Sequence, residues 1–204
     1  MTRILLTRHG HVEGLKPERF RGRAELALTE QGRRDIAALA ARVAPLKPAA
    51  IYTSPLQRCV QTGAAVAAAS GAPSQAHDGL ADIDYGGWQM RTHDDVRSEE
   101  PEAYARWKAA PQLTRFPGGE SLQDVATRGF DLLRAVLARH PDETVVVVGH
   151  DSVNRVLLLG LLEMPLSGYW RLVQDPCTLN DLTVTADGTV RVQALNDTSH
   201  LDRA

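Results

Sequence analysis

Two short, wholly apolar runs constrain the fold of this chain more than any other feature of its sequence. The run at residues 4–6 leads into Arg8 and His9, and the run at residues 145–148 leads into His150. Such runs predict strands that are buried on both faces, as in a parallel sheet. Because ligands bind beyond the carboxyl ends of parallel strands, we expect the two histidines to lie in one composite site.

Helix signals lie between these runs. Thr29 predicts the N-cap of a helix. The apolar segment at residues 50–53 predicts a strand, and Ser54 and Pro55 after it predict an N-cap followed by proline at the first helical position. Ser121 begins a capping-box pattern that predicts another helix. The chain therefore alternates strands with helices.

The end of the chain adds a hairpin signal, because residues 181–185 and 189–195 flank an Ala-Asp-Gly turn. Asp151 and Ser152 follow the second histidine, and we expect them to cap the helix that begins there. The whole pattern predicts an α/β fold, a three-layer α/β/α sandwich with a mostly parallel central sheet and an antiparallel edge. Residues from about 80 to 120 form the one excursion long enough to cap the composite site.

Length and composition predict a single domain that spans residues 1–204. A net charge of -2 argues against nucleic-acid binding. No apolar run approaches the roughly 20 residues that cross a bilayer, so no membrane partner is expected. Cys59 and Cys177 lie far apart in the sequence, which favours a reduced, cytoplasmic protein without disulfides. The sequence leaves the oligomeric state open between a monomer and a homodimer.

Two arginines accompany the histidines and indicate a phosphate site. Arg8 precedes His9, and Gly10 after it is expected to give the backbone the freedom to leave the strand sharply. Arg58 is predicted in the first turn of its helix, where the helix dipole and free amide groups favour an anion. Guanidinium groups match the geometry of phosphate oxygens. Together with His150, these residues describe a phosphate pocket.

A pocket of this composition can carry out phosphoryl transfer. Two neutral imidazoles can provide a nucleophile or hydrogen bonds to phosphoryl oxygens. Attack by histidine on phosphorus forms a covalent phosphoenzyme, and the leaving alkoxide then needs a proton from a carboxylic acid. Asp82 and Asp84 are the candidates for this acid. Because fixed cations can stabilise the transferring group, neither a metal nor another cofactor is expected.

Five segments in chain order resemble the histidine phosphatase superfamily, which includes the cofactor-dependent phosphoglycerate mutases. They are residues 6–10, 28–32, 54–62, 116–121 and 148–150. Each motif alone is weak evidence, but the five in order span nearly the whole chain. The resemblance implies a phosphoglycerate mutase-like fold.

The resemblance also implies roles for individual residues. His9 is implied to be the phosphorylated nucleophile, and three other side chains are implied to complete the phosphate pocket: Arg8, Arg58 and His150. The family usually places glutamate as the proton donor at the position of Asp82. Asp82 is one methylene shorter, and alignment favours it over Asp84 as the acid.

Several positions near the nucleophile depart from the family pattern. His11 stands where many members have glutamate, and Leu15 where many have an asparagine that touches the phosphate. Arg21 stands where glutamine or threonine is common, just before Gly22. We expect Arg21, Gly22 and Tyr85 to contact the substrate. The added guanidinium leads to the hypothesis that the substrate carries more negative charge beyond the transferred phosphate.

These features predict a metal-independent phosphatase that acts on a small phosphorylated metabolite. A phosphoglycerate mutase is the main alternative, but family mutases of the glycolytic kind carry a longer insertion than residues 88–121 provide here. A metal-dependent hydrolase could use His9, His11 and His150, although neighbouring arginines repel a divalent metal. An inactive phosphate-binding module is a third alternative, because Asp82 departs from the family pattern.

Overall fold

The two apolar runs form the central strands of one sheet. A computed structural model describes residues 1–13 and 17–201, and within them the sheet has six strands in the order β3-β2-β4-β1-β5-β6. The strands are β1 (Thr2–Arg8), β2 (Ala50–Thr53), β3 (Ser74–Ala76), β4 (Thr144–Gly149), β5 (Leu179–Val184) and β6 (Val190–Asp197). Leu15, one of the positions that depart from the family pattern, lies outside the described residues.

Strand directions confirm the predicted architecture. β3, β2, β4 and β1 are parallel, whereas β5 pairs antiparallel with both β1 and β6 and forms with β6 the predicted hairpin at one edge. β1 pairs with β4 so that Arg8 lies opposite Gly149. β3 was not predicted, because its three residues are all exposed and carry no apolar pattern.

The described chain has six α-helices. They are α1 (Glu30–Val43), α2 (Gln57–Ser70), α3 (His93–Glu99), α4 (Pro101–Ala109), α5 (Leu122–Arg139) and α6 (Asp151–Leu161). Of these, α1 and α2 cover one face of the sheet, and α5 and α6 cover the other. Leu5 and Val146 belong to the core cluster under α1 and α2, whereas Leu6 and Val147 belong to the cluster under α5 and α6. This alternation along each strand produces the three layers. None of these helices is both long enough and apolar enough to cross a membrane.

Of the N-caps predicted at Thr29, Ser54 and Ser121, two are present and one is not. The Thr29 hydroxyl accepts a hydrogen bond from Gly32 N, and Ser121 forms the predicted capping box with Asp124. The prediction at Ser54 and Pro55 is wrong, because α2 begins at Gln57 with Leu56 as its N-cap. The Ser54 hydroxyl instead lies 2.7 Å from Nε2 of His150, in the composite site.

The prediction for Gly10 also needs correction. Its φ is not in the left-handed region, so backbone freedom is not what the position requires. A Cβ at Gly10 would lie 2.6 Å from Cδ1 of Ile36 and 2.9 Å from the carbonyl oxygen of Gly32. Glycine is therefore needed here because α1 packs directly against the end of β1.

Candidate active site

The structure brings the two predicted histidines together at the carboxyl ends of β1 and β4. The parallel register places Arg8 opposite Gly149, so the next residue of each strand emerges at the same edge of the sheet. The His9 and His150 rings meet edge to face, with centroids 5.1 Å apart and an interplanar angle of 61°. Both side chains are almost completely buried.

His9 has the protonation state that a nucleophile requires. Its Nδ1 lies 2.7 Å from the carbonyl oxygen of Gly10, and because a carbonyl only accepts, Nδ1 carries the proton. Burial, followed by the charges of His150, Arg8 and Arg58, holds the pKa of His9 well below its ordinary value. A neutral His9 therefore keeps its free electron pair on Nε2 at neutral pH.

His150 lies directly behind His9 with both ring nitrogens engaged. Nδ1 of His150 accepts a hydrogen bond from Nε of Arg58 over 3.3 Å. Nε2 of His150 donates to the Ser54 hydroxyl over 2.7 Å. Burial and the charges of Arg58 and Arg8 hold the pKa of His150 well below its ordinary value. His150 is therefore neutral and fixed in orientation.

Arg58 joins His150 to the loop that contains Gly22. Its guanidinium donates to the carbonyl oxygens of Gly22 and Ala24 over 2.8 and 2.7 Å, and its Nη2 lies 3.3 Å from Oδ2 of Asp82. Gly22 has a φ of +48°, which favours glycine. Arg58 is almost fully buried and is held by several partners at once.

The sequence predicts that the start of the helix with Arg58, α2, faces the phosphate, but the helix whose start lines the site is α6. Arg58 is in the first turn of α2, as predicted, but the carboxylate of Glu25 accepts from Gln57 N over 3.2 and 3.4 Å. An anion supplied by the protein thus occupies the start of α2. The first residues of α6, Asp151 and Ser152, line the site instead.

The predicted capping role of Asp151 and Ser152 is wrong. α6 has no side-chain cap, and His150 is its N-cap residue. Asp151 Oδ1 accepts from Nε of Arg155 over 3.0 Å, which orients its carboxylate along the helix. The Ser152 hydroxyl donates to Oδ1 of Asp82 over 2.5 Å. Their position after a strand-end histidine was the sequence signal for contact with the site.

Asp82 lies beside Arg58 and His150. Its Oδ1 accepts from the Ser152 hydroxyl and from Ile83 N over 2.9 Å, and its Oδ2 lies 3.6 Å from Nδ1 of His150. Arg58 completes these contacts, with its Nη2 3.3 Å from Oδ2 of Asp82.

Asp84 lies in a different environment from Asp82. Its Oδ1 accepts from Gly86 N over 2.8 Å, and its Oδ2 lies 3.8 Å from Nη1 of Arg23. The carboxylate of Asp84 therefore stabilises the turn at Gly86, and Asp82 is the carboxylate that the structure places beside the histidines.

A small cavity of about 40 Å³, here called the inner cup, contains the site. Six of the eight predicted site residues line it: Arg8, His9, Arg21, Gly22, Asp82 and Tyr85. Arg19, Asp151 and Ser152 complete its lining. Arg58 and His150 contact the lining residues from behind.

Two arginines provide donors to the inner cup. Arg8 Nη1 donates to the carbonyl oxygen of Gln174 over 2.6 Å, whereas its Nε is buried without a partner in the described chain. Among the described residues, the Arg21 side chain has no hydrogen-bond or ion-pair partner, and it interacts with Asp82 and Asp151 only through their charges. Burial and the neighbouring charge of Arg8 lower the pKa of Arg21. Arg8 Nη1 also lies 3.9 Å from Oδ1 of Asp151. The donors that remain without partners on these partly desolvated guanidinium groups favour a bound anion.

Tyr85 forms a neutral wall of the cup. Burial, followed by the charges of Asp82 and Asp151, raises the pKa of its phenol. Its ring packs edge to face on Phe20 and Phe116, with centroids 5.1 and 4.8 Å away. Tyr85 can therefore donate a hydrogen bond but does not act as a base.

A larger cavity of about 320 Å³, here called the outer cavity, adjoins the inner cup. The two share part of their lining: Arg8, Arg19, Arg21, Tyr85 and Asp151. The predicted cap contributes His93, Trp107 and Lys108 to its wall, and residues 169–175 contribute the opposite side. Sequence reasoning missed residues 169–175, because they carry no motif.

The arrangement does not assemble the alternative metal site. His11 Nδ1 lies 3.0 Å from the Thr29 hydroxyl, at the start of α1. Across residues 1–13 and 17–201, no group of three or more histidine, cysteine, aspartate or glutamate side chains is placed to hold a metal ion.

Comparison with known proteins gives a family match that spans the site. Residues 4–198 match the model of the histidine phosphatase superfamily (branch 1). Phosphoserine phosphatase 1 of Hydrogenobacter thermophilus is 31% identical over 201 residues, which cover 98% of this chain and 95% of that protein. A probable phosphoglycerate mutase of Cronobacter sakazakii is 31% identical over 209 residues, covering 99% and 96% of the two chains.

Other relatives are longer, and solved structures share the fold. The chain spans 55% of a bifunctional protein of Mycobacterium tuberculosis, with 33% identity over 201 residues that cover 98% of this chain. The structure of YhfR from Bacillus stearothermophilus superposes with a TM-score of 0.92 and 31% identity, covering 99% of this chain and 100% of YhfR.

Proposed function

Because the chain belongs to the histidine phosphatase superfamily (branch 1), we propose that it is a metal-independent phosphatase of small phosphate monoesters, acting through a phosphohistidine at His9. The observation that carries the proposal is the neutral, buried His9, whose free nitrogen is Nε2, in a cup that Arg8 and Arg21 line. This combination pairs a nucleophile with fixed positive charge.

The first step transfers the phosphoryl group to the enzyme. The Nε2 electron pair of His9 forms a bond to phosphorus, and the bond between phosphorus and the leaving oxygen breaks with its electron pair on that oxygen. The carboxylic acid form of Asp82 gives its proton to this oxygen, and the alcohol leaves. Arg8 and Arg21 stabilise the charge on the three other phosphoryl oxygens.

The second step returns the enzyme to its starting state. The Asp82 carboxylate takes a proton from water, the water oxygen bonds to phosphorus, and the bond to Nε2 breaks with its electron pair on nitrogen. The Ser152 hydroxyl and Ile83 N both donate to Oδ1 of Asp82 and hold the orientation of its carboxyl group.

The size of the two cavities supports a small substrate. The inner cup suits the phosphoryl group, and the outer cavity suits an organic part of metabolite size. The relatives support phosphoserine and 3-phosphoglycerate as the first compounds to test. A cytoplasmic location and independence from nucleic acid and membranes stay predictions, as does the choice between monomer and homodimer.

A phosphoglycerate mutase is the second candidate, because the probable mutase from Cronobacter sakazakii matches almost the whole chain. A mutase returns the phosphoryl group of phosphohistidine to a bound product, so it must exclude water. The short segment between residues 88 and 121 supports hydrolysis instead.

A panel of phosphorylated metabolites tests the proposal through phosphate release, with and without EDTA. We expect turnover that survives EDTA and is lost in His9→Ala. Loss of activity with EDTA would support a metal-dependent hydrolase, and no turnover with any compound would support a binding module. Conversion of 3-phosphoglycerate to 2-phosphoglycerate with a bisphosphoglycerate primer, without phosphate release, would support the mutase.

A further inference from the structure

The loop at residues 116–120 packs against the loop that contains Asp82, although the proposed chemistry uses none of its side chains. Glu120 N donates to the carbonyl oxygen of Asp84 over 2.9 Å. A Cβ at Gly119 would lie 2.4 Å from the same oxygen. Gly119, which has no Cβ, therefore allows the two backbones to approach this closely.

The Glu120 carboxylate connects these loops to α5. Its Oε2 accepts from Asp84 N over 2.9 Å. Arg128 of α5 donates to both of its oxygens, from Nε over 2.9 Å and from Nη2 over 3.0 Å. The two side chains are only 17% and 20% exposed. Such a bidentate pair is geometrically specific and screened less than a surface pair.

Arg128 also holds the backbone of the Asp82 loop at two points. Its Nη1 donates to the carbonyl oxygen of Gly79 over 2.9 Å, and its Nη2 lies 3.3 Å from the carbonyl oxygen of Asp82. Arg23 adds a weaker tie, with Nη2 3.2 Å from Oε1 of Glu120. No regular helix or strand holds residues 81–85, so these side chains replace the missing backbone pairing.

We propose that Glu120 and Arg128 are positioning residues that hold Asp82 in place for proton transfer to the leaving group. The short side chain of Asp82 gives it little reach to compensate for a shift of its backbone. A displacement of about 1 Å can cost about 100-fold in rate. This inference rests on the proposed function, because it requires Asp82 to be the acid.

The dependence of rate on the leaving group tests the inference. p-Nitrophenolate leaves without a proton, whereas the alkoxide of glycerol phosphate needs one. We expect Arg128→Ala and Glu120→Gln to lower kcat/KM for glycerol phosphate by about 10- to 100-fold. We expect a loss of less than about threefold for p-nitrophenyl phosphate. Arg128→Lys should fall between, since lysine cannot form the bidentate pair.

Arg3→Ala is the matched control. Arg3 forms a similar two-pronged pair with Asp181 over 2.9 and 2.6 Å, between β1 and β5 and apart from the Asp82 loop. It should lower the unfolding temperature without changing the ratio of the two kcat/KM values. If Arg128→Ala does not fold, Glu120→Gln provides the same test with a smaller structural change.

Asp82→Asn separates failure of this inference from failure of the proposed function. If Asp82→Asn selectively slows glycerol phosphate but Arg128→Ala and Glu120→Gln slow both esters equally or neither, the positioning role is overturned and the acid stands. If Asp82→Asn itself shows no selectivity for the leaving group, the role of Asp82 as acid is wrong and the positioning role falls with it.

Discussion

The nucleophile and the acid of the proposed mechanism are held in place by different means. His9 follows a central strand, and its backbone N donates to the carbonyl oxygen of Gly149 over 3.1 Å, which continues the ladder between β1 and β4. Asp82 lies on a loop whose position depends on side-chain contacts with Arg128 and Ser152. The sheet half of the site is thus fixed by backbone pairing and the loop half by side chains.

This difference predicts different consequences of substitution. Changes in the sheet half should remove the chemical step for every substrate, because they remove the nucleophile or its charge environment. Changes in the loop half should depend on the substrate, because they move a proton donor that some leaving groups do not need.

The largest effect is expected for His9→Ala. Removal of the nucleophile should lower kcat/KM by about four orders of magnitude or more for alkyl and aryl esters alike. Phosphate release measures it, with His77→Ala as the control, because His77 is an exposed histidine away from the cup. If His9→Ala kept a tenth of the original kcat/KM on either ester, His9 would not be the nucleophile and the contrast between the two halves would fail.

Arg58→Ala should have the next largest effect, because Arg58 contacts both halves through His150 and Asp82. Loss of its charge-assisted hydrogen bonds should lower kcat/KM by about 100- to 1,000-fold on both esters. Arg58→Lys should not restore activity, since lysine lacks the planar fork of donors. Selective loss on the alkyl ester would assign Arg58 to the loop half alone.

Arg21→Ala is expected to act mainly on binding. Arg21 lines both cavities, and its side chain has no hydrogen bond or ion pair to the described residues. Its removal should raise KM about tenfold for esters that carry a second acidic group, and less for esters with a neutral organic part. Steady-state kinetics with 3-phosphoglycerate and glycerol phosphate measure the difference. Equal, unchanged KM values would refute the hypothesis of a second negative charge.

The smallest effect concerns stability in acid. The pKa values of His9 and His150 are lowered in the folded protein, so below about pH 6.5 the unfolded chain binds more protons. The free energy of unfolding should therefore decrease as the pH is lowered below this value, by up to about 1.4 kcal/mol per pH unit for each histidine.

Urea unfolding between about pH 6.5 and pH 5 measures this slope. His9→Asn should remove about half of the contribution from the two histidines. An unaltered slope in His9→Asn would show that His9 is not held neutral by burial.

The sheet half could be predicted from sequence more fully than the loop half. The apolar runs before His9 and His150 determine buried strands, and parallel strand ends meet at one edge. Asp82 was favoured over Asp84 only through a resemblance to a family, because no periodic pattern marks its loop. Residues 169–175 of the outer cavity were missed for the same reason.

Local signals were wrong where tertiary partners compete for a side chain. Ser54 has the sequence context of an N-cap, but its hydroxyl contacts His150. Gly10 suggested an unusual backbone conformation, but the position needs a small residue against Ile36. Ser152 suggested a cap, but its hydroxyl donates to Asp82. Each outcome depends on a residue that is distant in the sequence.

Trapping the phosphoenzyme tests the account most directly. The protein is mixed with a ³²P-labelled phosphate ester for milliseconds and quenched in alkali, which preserves phosphohistidine. We predict a base-stable, acid-labile label on the peptide that contains His9, and none in His9→Ala. Phosphate release without any labelled protein, or a label on another residue, would contradict the account.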